Sequence, residues 1–430
     1  MATQTLTNFD AILKNVYRGP IVEQLNQESY AIDQFERVAA NDMGAFSGRQ
    51  VIFPIHTGRN RGRGAIGDGG VLPTAGTQGF HDGTVSIRYF AQGIELTDQV
   101  IKQSETNEGA FVRAMTAEVE GATTDLRKDI NRQVYGTGDG VLSNISTATT
   151  SATFTVDNVQ YISVGDYVDI IKSDGTTYVA TNVQVTAVSS TGTAGGSTQA
   201  QGSITLASAP SATTGTNASI CLTGAYKQES DGFRNITATS GALHGLDPTV
   251  AVNGVKPAVW KGTEIDGTYA TTGLEDLYIQ AAQAIRKVSA KGPDVFLTTL
   301  GAQRKLAAQF TSQKRWQDAK SLEMQEGYSA IMVAAGAKPI PVIADVDAPV
   351  GFAFALNKGS FAWTELQKPD RLSAPDGKGS ILTLKTGSAA GTREAKWQAW
   401  LGWYAALVCT ARNQNGRIKN LVDDTPVARV

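Results

Sequence analysis

At 430 residues the chain exceeds the size that one hydrophobic core usually serves, so two or more structural units, or one with a large insertion, are expected. Only 18% of residues are charged, so much of the polar surface must be uncharged Thr, Ser, Asn and Gln, or be buried against partners. A net charge of -2 leaves no electrostatic footprint for gripping nucleic acid or an anionic membrane, and no apolar run approaches the roughly 20 residues of a membrane span.

The opening MATQTLTNFD has neither a basic n-region nor an apolar h-region. The two cysteines, Cys221 and Cys409, lie far apart and read as small buried hydrophobes, so a reducing, cytosol-like compartment is expected. Residues 1–48 carry Phe9, Ile12, Leu13, Val16, Ile21, Val22 and Leu25 at partly helical spacing, broken by Gly19-Pro20. They predict an arm of short helices and extended pieces. In residues 49–97, Gln50 to His56 and Thr84 to Ala91 read as strands around a Gly/Arg-rich run from Thr57 to Gly79. So long a glycine-rich segment predicts a two-stranded arm that projects from the body and finds its packing on a neighbouring subunit.

Residues 98–145 hold the clearest helix. Phe111, Met115, Val119, Ala122, Leu126, Ile130 and Val134 form one stripe, Asn107 can cap the start, and Gly136 and Gly138 stop it. Its length is roughly 28 residues, about 40 Å. Its other face is expected to be ionic, with Arg113, Glu118, Glu120, Asp125, Arg127, Lys128, Asp129 and Arg132. From 146 to 225 the composition turns to Thr, Ser, Ala, Gly and Val, with short alternating strands and a Ser173-Asp174-Gly175 turn. That texture predicts an inserted small β-sandwich or barrel, and residues 226–271 lead back to the body. Residues 272–395 read as mixed α/β. Thr272-Gly273-Leu274-Glu275 is a capping box opening a helix that Gly292-Pro293 ends, and Asp294 to Leu300 is a strand. Gly301 to Phe310 is a second helix, and further strands follow at 331–333, 341–343, 351–356 and 360–366. The remainder, 396–430, contains one long strand from Lys396 to Arg412.

The order arm, glycine-rich loop, long helix, α/β unit and returning strand resembles that of HK97-type major capsid proteins of tailed bacteriophages. Local strings are similar as well: GPDVFLTTLGAQRKLA (292–307), MVAAGAKPIPVIADVDAPVGFAFALNKGSFAW (332–363) and EAKWQAWLGWYAALVCTARNQNGRIKNL (394–421). The resemblance covers everything except about 146–225. It implies an α+β HK97-like fold with an N-arm (1–48), an E-loop (49–97) and a P-domain with spine helix (98–145). The inserted β-domain (146–225) and the return to the P-domain (226–271) would follow, then the A-domain (272–395) and the C-terminal strand (396–430). It further implies a subunit that assembles as pentamers and hexamers into an icosahedral shell around double-stranded DNA, without sequence-specific binding. Such a subunit would be made in the host bacterial cytoplasm, become part of the virion, and work with a separate scaffolding protein, a portal and possible decoration proteins. The nearest alternative is an encapsulin-like nanocompartment shell; a bacterial surface β-protein is a more distant one.

No enzyme, cofactor or metal is expected. Gly62 to Gly67 matches G-x-G-x-x-G, but Asp68-Gly69-Gly70 and Pro73 forbid the helix a dinucleotide site needs, so a flexible loop is the plainer reading. His56, His81 and His244 have no metal-ligand spacing. The carboxylate pairs Asp345/Asp347 and Asp423/Asp424 lie in turn-like contexts and are expected on solvated surface. The candidate contact residues are Arg59, Arg61 and Arg63 on alternate positions of the loop, with Arg88 on the returning strand. A neighbour's acidic surface near Glu118 and Glu120 is the expected partner.

In some members of that family an E-loop lysine forms an isopeptide bond to an asparagine of a neighbouring subunit. This chain has no lysine between Lys14 and Lys102, and arginine cannot replace the amine nucleophile. Purified shells on a denaturing gel are therefore expected to run as a single monomer band; a ladder of linked subunits would contradict this.

Overall fold

The computed structural model describes residues 30–46, 50–60, 62–99, 108–193, 195–252, 256–289, 291–311, 331–334, 338–372, 383–386 and 393–425. In chain order they form β1 (Glu36–Ala39), β2 (Ala45–Phe46), β3 (Gln50–Gly58), β4 (Gly79–Ser86), β5 (Arg88–Thr97) and the long helix α1 (Glu108–Val134). Six strands follow: β6 (Val141–Asn144), β7 (Thr153–Val156), β8 (Tyr167–Ile171), β9 (Tyr178–Ser190), β10 (Gly202–Leu206) and β11 (Ser219–Leu222). Next come β12 (Thr263–Asp266), α2 (Leu274–Val288), β13 (Val295–Thr298), α3 (Leu300–Thr311), β14 (Ile331–Ala334), β15 (Pro339–Ala344) and β16 (Ala353–Leu356). The chain closes with β17 (Phe361–Leu372), β18 (Thr383–Thr386), β19 (Arg393–Cys409) and β20 (Gly416–Lys419).

Three larger sheets carry this mixed α/β architecture. β19, 17 residues long, is the spine of one sheet, with β17 and β18 beside it, β1 parallel to β17, and β5 antiparallel along its other edge. Helix α1 packs on β5, and its predicted stripe is observed: Ala122, Ile130 and Val134 are buried. The side chains of Phe111 and Met115, and Asn107, lie outside the described residues. Arg132 departs from the expected ionic face. It is buried and paired with buried Glu229 and with Asp129, whose carboxylates hold its charge despite the cost of burial.

The second sheet, β12-β20-β16-β13-β15-β14, is mixed. Its central strands β13 and β16 are buried at every position, which is why both read as unbroken apolar runs. Leu274, Tyr278, Ala281, Ala282 and Ile285 of α2 cover it. The capping box expected at Thr272 does not form. Gly273 sits at φ +71 with no side-chain cap, and the Leu274 N–H is taken by Gln309 Oε1 at 3.1 Å, from α3. A cap supplied across 35 residues satisfies the same orphan donor as a local one.

The third sheet runs β6-β11-β8-β9-β10-β7. Its two ends meet through the Ile145–Val156 bridge and the bonds Ser146 N–H to Thr155 O (3.1 Å) and Asp157 N–H to Asn144 O (3.0 Å). The result is a closed six-stranded antiparallel barrel, so no strand is left as an open edge. Val156, Val168, Ile170, Val185, Ile204 and Ile220 fill its centre. Two glutamines fasten it to the second sheet. Gln160 donates to Ala348 O (2.6 Å) and accepts from Val350 N–H (3.0 Å); Gln199 donates to Leu421 O (3.1 Å) and accepts from Asp423 N–H (3.3 Å). Each side chain pairs with backbone as a strand would.

The carboxylates expected on solvated surface are instead structural. Asp345 and Asp347 are buried, and so is Asp423; only Asp424 keeps some exposure, paired with Arg304 and Lys305. Asp345 accepts from Ala31 N–H (3.1 Å), Tyr135 Oη (3.0 Å), Asp347 N–H (2.9 Å) and Asn131 Nδ2. It thereby ties the segment before β1 and the end of α1 to the loop after β15. Asp423 accepts from Thr299 Oγ1, from Gly351 N–H and from Thr425. A turn composition predicts bends but not which side of a bend faces solvent, and here the bends turn inward to spend orphan donors.

Arg412, fully buried just after β19, spends all five guanidinium donors on backbone carbonyls. Nε reaches Ile236 O (3.1 Å), Nη1 reaches Gly241 O (2.9 Å) and Trp260 O (3.3 Å), and Nη2 reaches Asn235 O (2.9 Å) and Ser240 O (3.3 Å). Burial lowers its pKa to about 10, which still leaves it charged at neutral pH. The loop it organises presents His244, whose backbone O accepts the Thr84 N–H of β4 at 2.8 Å and whose ring meets Phe53 of β3 edge-on.

Two predictions follow from this knot. Arg412→Met leaves five buried carbonyls without their donor and should lower unfolding free energy by more than about 3 kcal/mol in urea titration of the unassembled protein. A loss below about 1 kcal/mol would show that the carbonyls find other partners. For His244, burial first and Arg412 second push the ring's pKa from 6.5 down to about 3. The unfolded chain therefore takes up a proton that the folded chain refuses. Its contribution is complete above pH 6.5 and is lost as pH falls toward 3, at about 1.4 kcal/mol per pH unit. The stability difference between the native protein and His244→Gln should shrink at that slope from pH 6 to 4; parallel curves would refute it.

Candidate assembly surface

The hairpin β3–β4 pairs in one register from Gln50↔Ser86 to His56↔Phe80, then shifts by one residue to Gly58↔Gly79. Burial alternates along β3, with Val51, Phe53, Ile55 and Thr57 inward, and Phe53, Ile55 and Val85 join the main core. The expectation that this arm projects freely and packs elsewhere is therefore corrected at its base, where the inner face rests on the chain's own 243–252 segment. His81 Nε2 lies 3.4 Å from Val252 O, and Gly245, at φ +79, brings its backbone so close to Thr84 that a Cβ there would meet Thr84 Oγ1 at 2.7 Å.

Beyond Gly58 the loop leaves the body, and Gly62 serves close approach. A Cβ on Gly62 would fall 2.4 Å from Thr74 O and 2.8 Å from Gly76 N. Two polar side chains staple this neck. Asn60 Nδ2 donates to Gly76 O (2.7 Å) and its Oδ1 accepts from Gly62 N–H (2.7 Å), while Gln78 Oε1 accepts from Asn60 N–H (3.2 Å). Of the Gly62–Gly67 run the staple reaches Gly62, and no helix opens at Gly67. At the far end Val71 is 92% exposed, Leu72 75% and Ile66 50%, an apolar tip with nothing of the described chain against it.

Arg59 and Arg63 stand exposed on this neck with no acid paired to either, and Arg61 lies outside the described residues. Arg88 is placed differently from the other candidates. It is half-buried at the root of the hairpin, with Nη1 3.3 Å from Lys227 O and with Asp231 in its field. Glu118 and Glu120 lie two residues apart on α1, on different faces of the helix; Glu120 is exposed, and Glu118 is half-buried with its pKa raised by burial and then by Asp125. Neither pairs with a cation of the described chain.

One exposed surface was not anticipated. Tyr89 pairs with Tyr404 and Gly93 with Trp400 across β5 and β19, so these side chains share one face. Tyr89 is 65% exposed and Trp400 41%, and Tyr89 meets Tyr404 edge-on at 4.8 Å. Trp400 lies over Gly93, where a Cβ would be 2.8 Å from its ring. The signal was present in Lys396-Trp-Gln-Ala-Trp-Leu-Gly-Trp-Tyr404. Aromatics there occupy both parities of one strand, which requires two covered faces or one left exposed.

The reactive side chains are withdrawn. Cys221 and Cys409 are buried and unbridged, and burial pushes both thiols up to about 12. Among the described residues no three His, Cys, Asp or Glu side chains cluster as metal ligands. No helix of the described residues is long and apolar enough to cross a membrane.

No protein-family model matches this sequence, and no curated protein matches it. Solved structures do. A chain of the cyanophage A-1(L) capsid asymmetric unit superposes with a TM-score of 0.55 at 13% identity, covering 95% of this chain and 97% of its own. Mycobacterium phage Bobi gives 0.46 at 11% identity over 97% and 99% of the two chains. The holo-SrpI encapsulin complex from Synechococcus elongatus gives 0.43 at 9% identity over 100% and 99%. The last two backbones diverge too far to argue from. The first extends over nearly both whole chains, and at its low identity it speaks for architecture: this chain has the fold of a phage capsid chain.

Proposed function

We propose that this chain is the major capsid protein of a tailed bacteriophage, assembling as pentamers and hexamers into an icosahedral shell that encloses double-stranded DNA. The carrying observation is the backbone shared with the cyanophage capsid chain over 95% of the length. In this reading residues 1–48 are the N-arm, 49–97 the E-loop, 98–145 the spine-helix part of the P-domain and 146–225 an inserted domain. Residues 226–271 return to the P-domain, 272–395 are the A-domain and 396–430 the closing strand. The role is structural, with no catalysis, and a net charge of -2 suits a wall that surrounds DNA without gripping it. The subunit would assemble in the host cytoplasm with a separate scaffold and a portal, and would end as part of the virion.

The exposed surfaces support subunit contact as the chemistry. A tip of Ile66, Val71 and Leu72 is costly to leave in water on a thin arm, and Arg59 and Arg63, unpaired among the described residues, offer charge to a neighbour's carboxylates. Covering them with a second copy, with Glu118 and Glu120 as the acidic partners, removes that cost. Each contact would be modest, and closure of the shell multiplies them.

The purified protein, expressed alone or with a scaffold, should form closed hollow particles in negative-stain micrographs; only monomers or amorphous aggregate would sink the reading. Combined Arg59→Glu and Arg63→Glu should abolish most closed particles while far-ultraviolet circular dichroism of the subunit stays unchanged. Normal shells from that variant would remove the arginines from the interface.

A further inference from the structure

Behind the root of the hairpin lies a cavity of about 270 Å³, lined by Ser86 and Arg88 on the hairpin side and by Ser230, Asp231 and His244 on the body side. Its donors are not spent. The His244 side chain is fully buried, and its Nε2 accepts the Cys409 N–H at 3.0 Å. The neutral ring must then carry its proton on Nδ1, which has no hydrogen-bond partner among the described residues. Ser230 Oγ accepts the Leu407 N–H at 3.0 Å, so its own proton is free to point into the cavity. Arg88 makes one long bond, to Lys227 O at 3.3 Å.

One acceptor faces these donors. Asp231 Oδ1 is occupied by Asn235 Nδ2 at 2.7 Å, and Oδ2 stands 3.7 Å from His244 Nδ1, beyond hydrogen bonding. Burial raises the Asp231 pKa, opposed by the Asn235 bond and by the charges of Arg88 and Arg412, and it is the one carboxylate lining the cavity. A water between Nδ1 and Oδ2 would serve those two atoms and leave Arg88 and the Ser230 proton unused.

We propose that this cavity binds a protonated tetrahedral oxyanion, inorganic hydrogen phosphate. Its oxygens accept from Arg88, His244 Nδ1–H and Ser230 Oγ–H, and its P–OH donates to Asp231 Oδ2. The carboxylate sets the selectivity. Sulfate has no proton at neutral pH and would press an oxygen lone pair against Asp231, an unpaired buried contact that a site built for a hydroxyl rejects. A phosphodiester has none either, and a phosphate monoester, with a second pKa near 6, has lost its proton at pH 7.5, so neither the backbone of packaged DNA nor a monoester is the ligand. A bound phosphate would tie the β4–β5 corner to the segment held by Arg412 and so brace the hairpin at its root.

Isothermal titration of the purified protein with inorganic phosphate, sulfate and adenosine monophosphate, at pH 7.5 and matched ionic strength, tests this. Phosphate is expected to bind at least tenfold more tightly than sulfate. Arg88→Gln, at a half-buried position, should weaken phosphate at least tenfold, and Ser230→Ala should weaken it by a smaller factor. Asp231→Asn places a donor where the acceptor was and should bring sulfate up to phosphate. Adenosine monophosphate, a dianion at pH 7.5, is expected to bind no more tightly than sulfate; binding as tight as that of phosphate would overturn the role given to the P–OH. Equal affinity for phosphate and sulfate in the native protein, no phosphate binding, or no effect of Arg88→Gln would each overturn the proposal. Shell formation in the micrographs is independent of all these outcomes.

Discussion

The Arg412 guanidinium has five N–H donors and no carboxylate within bonding reach, and it closes a loop by taking one carbonyl with each donor. A buried cation is expensive, and what offsets the cost is the satisfaction of carbonyls that a 233–262 segment poor in regular structure cannot pair by itself. The order passes outward from there. The loop fixes Trp260 and His244, His244 receives the Thr84 N–H, and the paired hairpin stands on that contact. The exposed arm thus has a bonded root, while Val71 and Leu72 at its tip stand exposed.

β19 imposes the second constraint. One strand of 17 residues borders β17, β18 and β5, so it must bury one face and meet a helix-backed edge while its outer side is left uncovered. Trp403 and Trp363, with centroids 4.8 Å apart, fill the inner side and Trp403 Nε1 finds Glu365 at 3.0 Å. Trp400 and Tyr404 fall on the other parity with Tyr89. On the proposed reading this aromatic ridge on an exposed sheet face is a surface where subunits meet, in keeping with the low charge share of the chain.

The barrel and the second sheet are joined by side chains that imitate backbone. Gln160 and Gln199 each offer one donor and one acceptor to a neighbouring strand end, and Tyr161 Oη adds a bond to Asp347 O at 2.9 Å. Polar joints of this kind hold position by direction more than by area, which suits a region whose sequence is dominated by Thr, Ser and Gly. Asp345 performs a similar service where the segment before β1 and the end of α1 converge.

What the sequence determined by itself are the elements whose periodicity is local. The stripe ending in Ile130 and Val134 names a long helix, the alternation in 153–206 names short strands, and the order of parts points to the capsid architecture. The tertiary structure decided every feature that rests on distant partners. Asp345, Asp347 and Asp423 look like turn residues on a surface until segments hundreds of residues away supply donors to them. The capping box at Thr272 was locally sound and lost to Gln309, and Arg132 left its ionic face because Glu229 arrived to meet it. The Gly/Arg-rich run between β3 and β4 read as looseness, but at Gly62 two backbones pass too close for a Cβ. Composition reports which residues are present; burial and direction depend on what the rest of the chain brings alongside them, and that is fixed only when the chain is folded.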